Sequence, residues 1–174
     1  MDPWKPVRAT SWGIATAAFA GLAIVIWQSP THYVRVLDDA NLLFHEAGHP
    51  LVGAFSSRLM VYGGTLFQLV FPTAITISYW NRRDGLGFSF GLAWFFENLL
   101  NIGRYMGDAR AQVLPLVGGG EHDWANIFGR WGVLRYDTWI AGAVCTLGWL
   151  GLFGTWGWIT RQYFKKSTES PDIG

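Results

Sequence analysis

His45-Glu46-Ala47-Gly48-His49 sets two imidazoles four residues apart with a carboxylate beside the first. On a helix, positions i and i+4 lie on one face, so both rings can reach a single zinc ion. Glu46 then stands where a general base would take a proton from water at that metal. The structural alternative is a pair of histidines bonding backbone or a neighbouring helix, beside a surface Glu. The setting favours chemistry, because His and Glu between membrane-length apolar segments are expensive to keep near hydrocarbon. The expected cofactor is one Zn2+ held by His45 and His49.

A further ligand must come from elsewhere in the chain. Glu97, Asn101, Arg104 and Asp108 are spaced four, three and four apart, so on a helix they form one stripe about 60° wide. Inside a membrane such a stripe faces protein or water. One reading is self-neutralisation, with an Arg104–Asp108 pair and Glu97 bonding a neighbour. The other places Asp108 on the metal, with Glu97, Asn101 and Arg104 supporting it or handling substrate. Asp38, Asn41, His45, His49 and Ser56 make a matching stripe on the motif segment. Each unsatisfied polar group in hydrocarbon costs several kcal/mol, so the two stripes are expected to meet and to bring Asp108 near the histidines. His122, within Gly118-Gly119-Gly120-Glu121-His122-Asp123-Trp124, is the alternative third ligand. Otherwise that segment is a glycine-rich interfacial turn. His32, after Ser29-Pro30 at a span end, reads as an interfacial histidine.

The elements that must position these residues read as helices in a bilayer. The chain is 51% hydrophobic and 17% aromatic, with only 14% charged residues, against about 25% charged in soluble proteins. Four segments are long enough to cross: about Thr10 to Gln28, Leu59 to Trp80, Gly85 to Met106 and Trp139 to Thr160. Asp38 to Ser57 carries the motif, with Asp38 or Asp39 as N-cap and a kink or break expected at Pro50. The expected architecture is all-α: a polytopic membrane helix bundle of four to five transmembrane helices, in one integral membrane domain. The first span is expected to be retained, since no small-residue cleavage site follows it. Trp4, Trp12, Trp27, Trp80, Trp139 and Trp158 lie near ends of apolar runs, where indoles anchor at the headgroups. The expected location is a bacterial inner membrane.

Lys5 and Arg8, Arg82 and Arg83, and Arg161, Lys165 and Lys166 can all face the cytoplasm only if the motif segment does not complete a crossing. A net charge of +1 without a basic cluster argues against a nucleic-acid partner. Cys145 is the one cysteine, which excludes an internal disulfide. Gly148, Gly151, Gly154 and Gly157 suit close helix packing, within the chain or against a partner subunit. Gly63-Gly64 through Gln68 reads as a flexible entry into the next span or an extended edge for a peptide.

The motif, its membrane setting and the downstream Asp resemble the site-2 protease family of intramembrane zinc metalloproteases. In that family an HExxH lies on a membrane helix, and a later helix supplies an Asp from an Asn-rich, Leu-Asp-Gly-type motif. Asn98-Leu99-Leu100-Asn101 and Gly107-Asp108-Ala109 are similar in order. The family's Pro is absent, and Ala109 replaces its Gly after the Asp. The resemblance covers about Asn41 to Arg110. It implies His45, His49 and Asp108 as ligands, Glu46 as general base, and a membrane-spanning protein segment as substrate. The rival expectation is a structural or accessory subunit of a membrane complex, with partner membrane subunits and a structural or vestigial zinc site. A metal or proton carrier is a third.

Overall fold

A computed structural model describes residues 4–29, 33–117 and 120–167. His32, Gly118, Gly119, the polar tail 168–174 and the Lys166 and Ser167 side chains lie outside the described residues. Among those described there are six α-helices and no strand. They are α1 (Ala9–Gln28), α2 (Arg35–Gly53), α3 (Met60–Asn81), α4 (Gly85–Gly107), α5 (Asp123–Trp131) and α6 (Asp137–Ser167).

Three helices, α1, α3 and the stretch containing α6, are long and apolar enough to cross a membrane. That is fewer than the four to five expected. The α4 helix has 23 residues, which suffices in length, but Glu97, Asn98, Asn101 and Arg104 dilute its apolarity. The α2 helix has 19 residues and carries Asp38, Asp39, Glu46 and both motif histidines.

One local expectation for α2 is corrected, and a second, the kink or break at Pro50, loses its alternative of a break. The helix begins at Arg35, a turn before Asp38, so neither Asp38 nor Asp39 is its N-cap. Asp38 reaches back instead and accepts the Val34 N–H at 2.5 Å. Nor does Pro50 end the helix, which continues to Gly53. The ring removes one ladder bond near the C-terminus, and the next turn is kept by the Ala54 N–H on the Pro50 carbonyl at 3.0 Å. Ser56 therefore falls beyond the helix.

The α4 helix is the spine of the bundle, packed between α3 and α6. Glycine permits the approach: a Cβ on Gly151 would lie 2.0 Å from the Phe96 ring. Gly154 and Gly157 meet nothing within 4 Å, so only part of the α6 glycine series is used for packing within the chain. Asp84 caps α4 through the Gly87 N–H at 3.0 Å, after a tight turn in which Arg83 adopts φ 52°.

The start of α1, the end of α3, the start of α4 and the end of α6 share one end of the bundle. Trp4 packs there on Trp80, Phe88 and Trp158, Trp12 stacks on Tyr163, and the Lys5 N–H donates to the Arg83 carbonyl at 2.8 Å. Lys5, Arg8, Arg82, Arg83 and Arg161 gather at that end. The α2 helix runs antiparallel to α3 and does not reach it, since Asn41 lies beside Trp94, Glu97 and Asn98 at the middle of α4. From there α2 runs toward the opposite end, where α5 is packed. A core of Ile102, Met106, Trp124, Ile127, Phe128 and Ala141 holds α5 over the ends of α4 and α6.

Candidate metal centre

His45 and His49 project from α2 toward Asp123, the first residue of α5. His45 Nε2 lies 2.8 Å and His49 Nε2 3.2 Å from the same oxygen, Asp123 Oδ2. The other nitrogen of each ring is engaged: His45 Nδ1 lies 3.2 Å from Gln68 Oε1, and His49 Nδ1 3.0 Å from the Met60 carbonyl. Carbonyl and amide oxygens only accept, so both Nδ1 atoms carry hydrogen. Neutral rings would then aim two Nε2 lone pairs at a carboxylate that also only accepts. The arrangement calls for cations between the groups, either a proton on each Nε2 or one metal ion. The three donor atoms lie within 4.8 Å of one another, close enough for one ion.

Helix packing sets the position of the rings. A Cβ on Gly64 would lie 2.5 Å from His45 Nε2, and one on Gly63 would lie 2.4 Å from the Gly48 carbonyl oxygen. Gly63 and Gly64 thus form a helix–helix contact that admits the His45 ring. The expected flexible entry or extended edge is replaced by the first turns of α3.

Asp123 is placed by the connection between α4 and α6. Its backbone N–H donates to the Tyr105 hydroxyl oxygen at 3.1 Å. His122, expected as an alternative ligand, is instead the N-cap of α5, accepting the Ala125 N–H on Nδ1 at 3.2 Å. Its Nε2 points away from the triad and lies 3.3 Å from Asp108 Oδ2. Burial pushes the His122 imidazole below its usual pKa, although Asp108 pulls the other way. Burial would raise the Asp123 carboxyl, but hydrogen bonds from His45 and His49 outweigh it and hold it below the usual range.

Asp108, the ligand implied by the resemblance, is not brought to the histidines. Its two oxygens accept the Val113 N–H at 2.9 Å and the Leu114 N–H at 3.1 Å, which organises the loop after α4. The rest of the stripe does find the motif helix. Asn41 Nδ2 donates to Glu97 Oε2 at 2.9 Å, and Asn98 and Trp94 both donate to Asn41 Oδ1, at 2.9 and 2.8 Å. Asn101 Nδ2 donates to Asp38 Oδ1 at 2.5 Å. Arg104 lies over the Tyr33 ring, 4.9 Å from its centre.

Glu46 is half-buried beside the triad, and no hydrogen bond or ion pair holds its carboxylate among the described residues. It lines two cavities, of about 430 and 360 Å³, that share His45, Tyr105, Leu116 and Val117 with it. They form one groove across the triad. Tyr105 accepts the Asp123 N–H on its oxygen, which leaves its own hydroxyl hydrogen available to that groove. Comparison with protein-family models, with curated proteins and with solved structures returned no match.

Proposed function

We propose that the protein is an intramembrane zinc metallopeptidase that hydrolyses peptide bonds of membrane-spanning substrates, with His45, His49 and Asp123 as ligands. The observation that carries the metal is the pair of Nδ1–H groups committed to oxygens, with both Nε2 atoms turned to one carboxylate. Two imidazoles and a carboxylate are a familiar zinc set, and three protein ligands leave a fourth position open. A zinc ion held there would supply Lewis acidity, polarising a substrate carbonyl and acidifying a water.

The chain's own groups supply the rest. The unpaired Glu46 carboxylate accepts a proton from the attacking water and returns it to the leaving amine. Tyr105 donates its hydroxyl hydrogen to the carbonyl oxygen as negative charge develops there. The two cavities receive the peptide on either side of the scissile bond. In this reading α4 is a fourth crossing helix, with Glu97 and Asn101 screened from lipid by α2, and α2 enters only part-way.

The test uses the purified protein in mild detergent, with zinc, and a library of quenched fluorescent peptides derived from single-span membrane segments. Cleavage by the wild type, its loss in Glu46→Gln, and unchanged zinc content in that variant are expected. Undiminished cleavage in Glu46→Gln, or a wild type without zinc, would overturn the proposal. The open Gly154 and Gly157 on α6 favour a second reading, an accessory membrane subunit. It predicts a stoichiometric co-purifying chain and no hydrolysis.

A further inference from the structure

The hydrogen bond that fixes the His45 tautomer does not end at Gln68. Gln68 is itself oriented, because its Nε2 donates to Asn101 Oδ1 at 2.8 Å. Asn101 is oriented in turn by donating from Nδ2 to Asp38 Oδ1 at 2.5 Å. Asp38 accepts only, with Glu97 holding the proton that these two neighbouring carboxyls share; its other oxygen takes the Val34 N–H at 2.5 Å. Asp38, Gln68 and His45 are buried and Asn101 is half-buried, and all four line the larger cavity of the groove.

The orientation matters because a primary amide keeps its shape when rotated by half a turn. Rotated, Gln68 would present N–H to His45 Nδ1. The ring would then keep its lone pair on Nδ1 and its hydrogen on Nε2, where a metal needs the lone pair. Nothing in Gln68 forbids this. Asn101 Oδ1 forbids it by needing a donor, and Asp38 forbids the matching rotation of Asn101. His49 needs no such device, since its Nδ1 partner is the Met60 main-chain carbonyl, which cannot exchange oxygen for nitrogen.

We propose that Asp38, Asn101 and Gln68 form a positioning relay that sets the ligating tautomer of His45 from a carboxylate three hydrogen bonds away. The inference rests on the metal-centre reading above. Partners behind a ligating histidine typically change metal affinity by about 10–100-fold when removed.

Zinc affinity of the full chain in detergent, measured by competition with a chromophoric chelator, tests the relay. Gln68→Leu should bind zinc about 10–100-fold more weakly. Gln68→Glu should bind more tightly than Gln68→Leu, because a carboxylate accepts from Nδ1–H in either orientation, although it leaves Asn101 Oδ1 without its donor. Asp38→Asn should weaken zinc about tenfold alone and leave it unchanged when Gln68→Glu is also present. That dependence on the residue at 68 separates orientation from folding, since a structural defect at Asp38 would cost affinity equally in both proteins. Equal loss in both, or wild-type affinity in Gln68→Leu, would overturn the relay and leave the metal centre standing. A wild type that binds no zinc would overturn the metal centre, and the relay with it.

Discussion

At Asp123 two imidazole nitrogens converge on one carboxylate oxygen, and this residue, not Asp108, should decide metal binding. Asp123→Ala is expected to weaken zinc by at least about 100-fold, by loss of one of the three proposed ligands. Asp108→Ala should instead lower thermal stability by about 1–3 kcal/mol, because two loop N–H groups lose their acceptor. Metal analysis and thermal melts of the two variants decide between these roles; a larger loss of zinc in Asp108→Ala would reverse the assignment. Tyr105→Phe should reduce kcat about 10–100-fold at unchanged zinc content, since it removes a donor aimed at the groove and no ligand. An unchanged kcat would remove Tyr105 from the chemistry. The motif was legible because spacing alone brings His45 and His49 to one face. Asp123 was not, although it stands next to the named alternative, His122. A one-residue difference at a helix start turns one side chain to the cap and the next to the site, and only the fold settles which.

The short α5 helix is the element that delivers Asp123, and its docking should depend on pH through His122. The imidazole is buried against Asp108 and Tyr105, and its folded pKa lies below the ordinary value of 6.5. The unfolded chain therefore takes up the proton first as pH falls. Stability from keeping His122 neutral is fully present above about pH 6.5 and is lost as pH drops through the folded pKa. Amide exchange across 121–131 in metal-free protein should accelerate as pH is lowered through that window, after correction for intrinsic exchange. His122→Asn retains a capping oxygen without the titration, and should flatten the profile. An identical pH profile in the variant would assign the effect elsewhere. The long helices were legible to within a few residues at most ends, because apolar runs of membrane length bounded by Trp, Arg and Gly leave little choice. The nine residues of α5 were not, since a single amphipathic turn or two inside a long connection has no comparable signature. Gly63-Gly64 misled for a different reason: glycine serves turns in water, but between apolar helices it serves close approach.

For the molecule as a whole, the balance of cationic residues between the two ends bears on the side on which the groove opens. Lys5, Arg8, Arg82, Arg83 and Arg161 come together at one end, and the candidate metal centre lies toward the other, beyond the middle of α4. The sequence left open whether the motif segment crosses; α2 packs from the middle of α4 to the far end, an arrangement that allows all three basic groups one side. Basic residues near span ends favour the cytoplasmic face, and the three basic groups hold seven of the thirteen Lys and Arg, a small excess over the groove end, where Arg58, Arg110, Arg130 and Arg135 lie. The groove is then expected to open toward the opposite side of the membrane, where a substrate segment emerging from the bilayer would meet Glu46. Two exposed positions at the two ends of α3, Ser57 and Asn81, report this directly. Single-cysteine variants Ser57→Cys and Asn81→Cys, each made in a Cys145→Ala background, would be treated in intact cells with a membrane-impermeant maleimide. Ser57→Cys should label without permeabilisation and Asn81→Cys only after it. The inverse pattern would place the groove on the cytoplasmic side, and labelling of both in intact cells would mean that α3 does not cross.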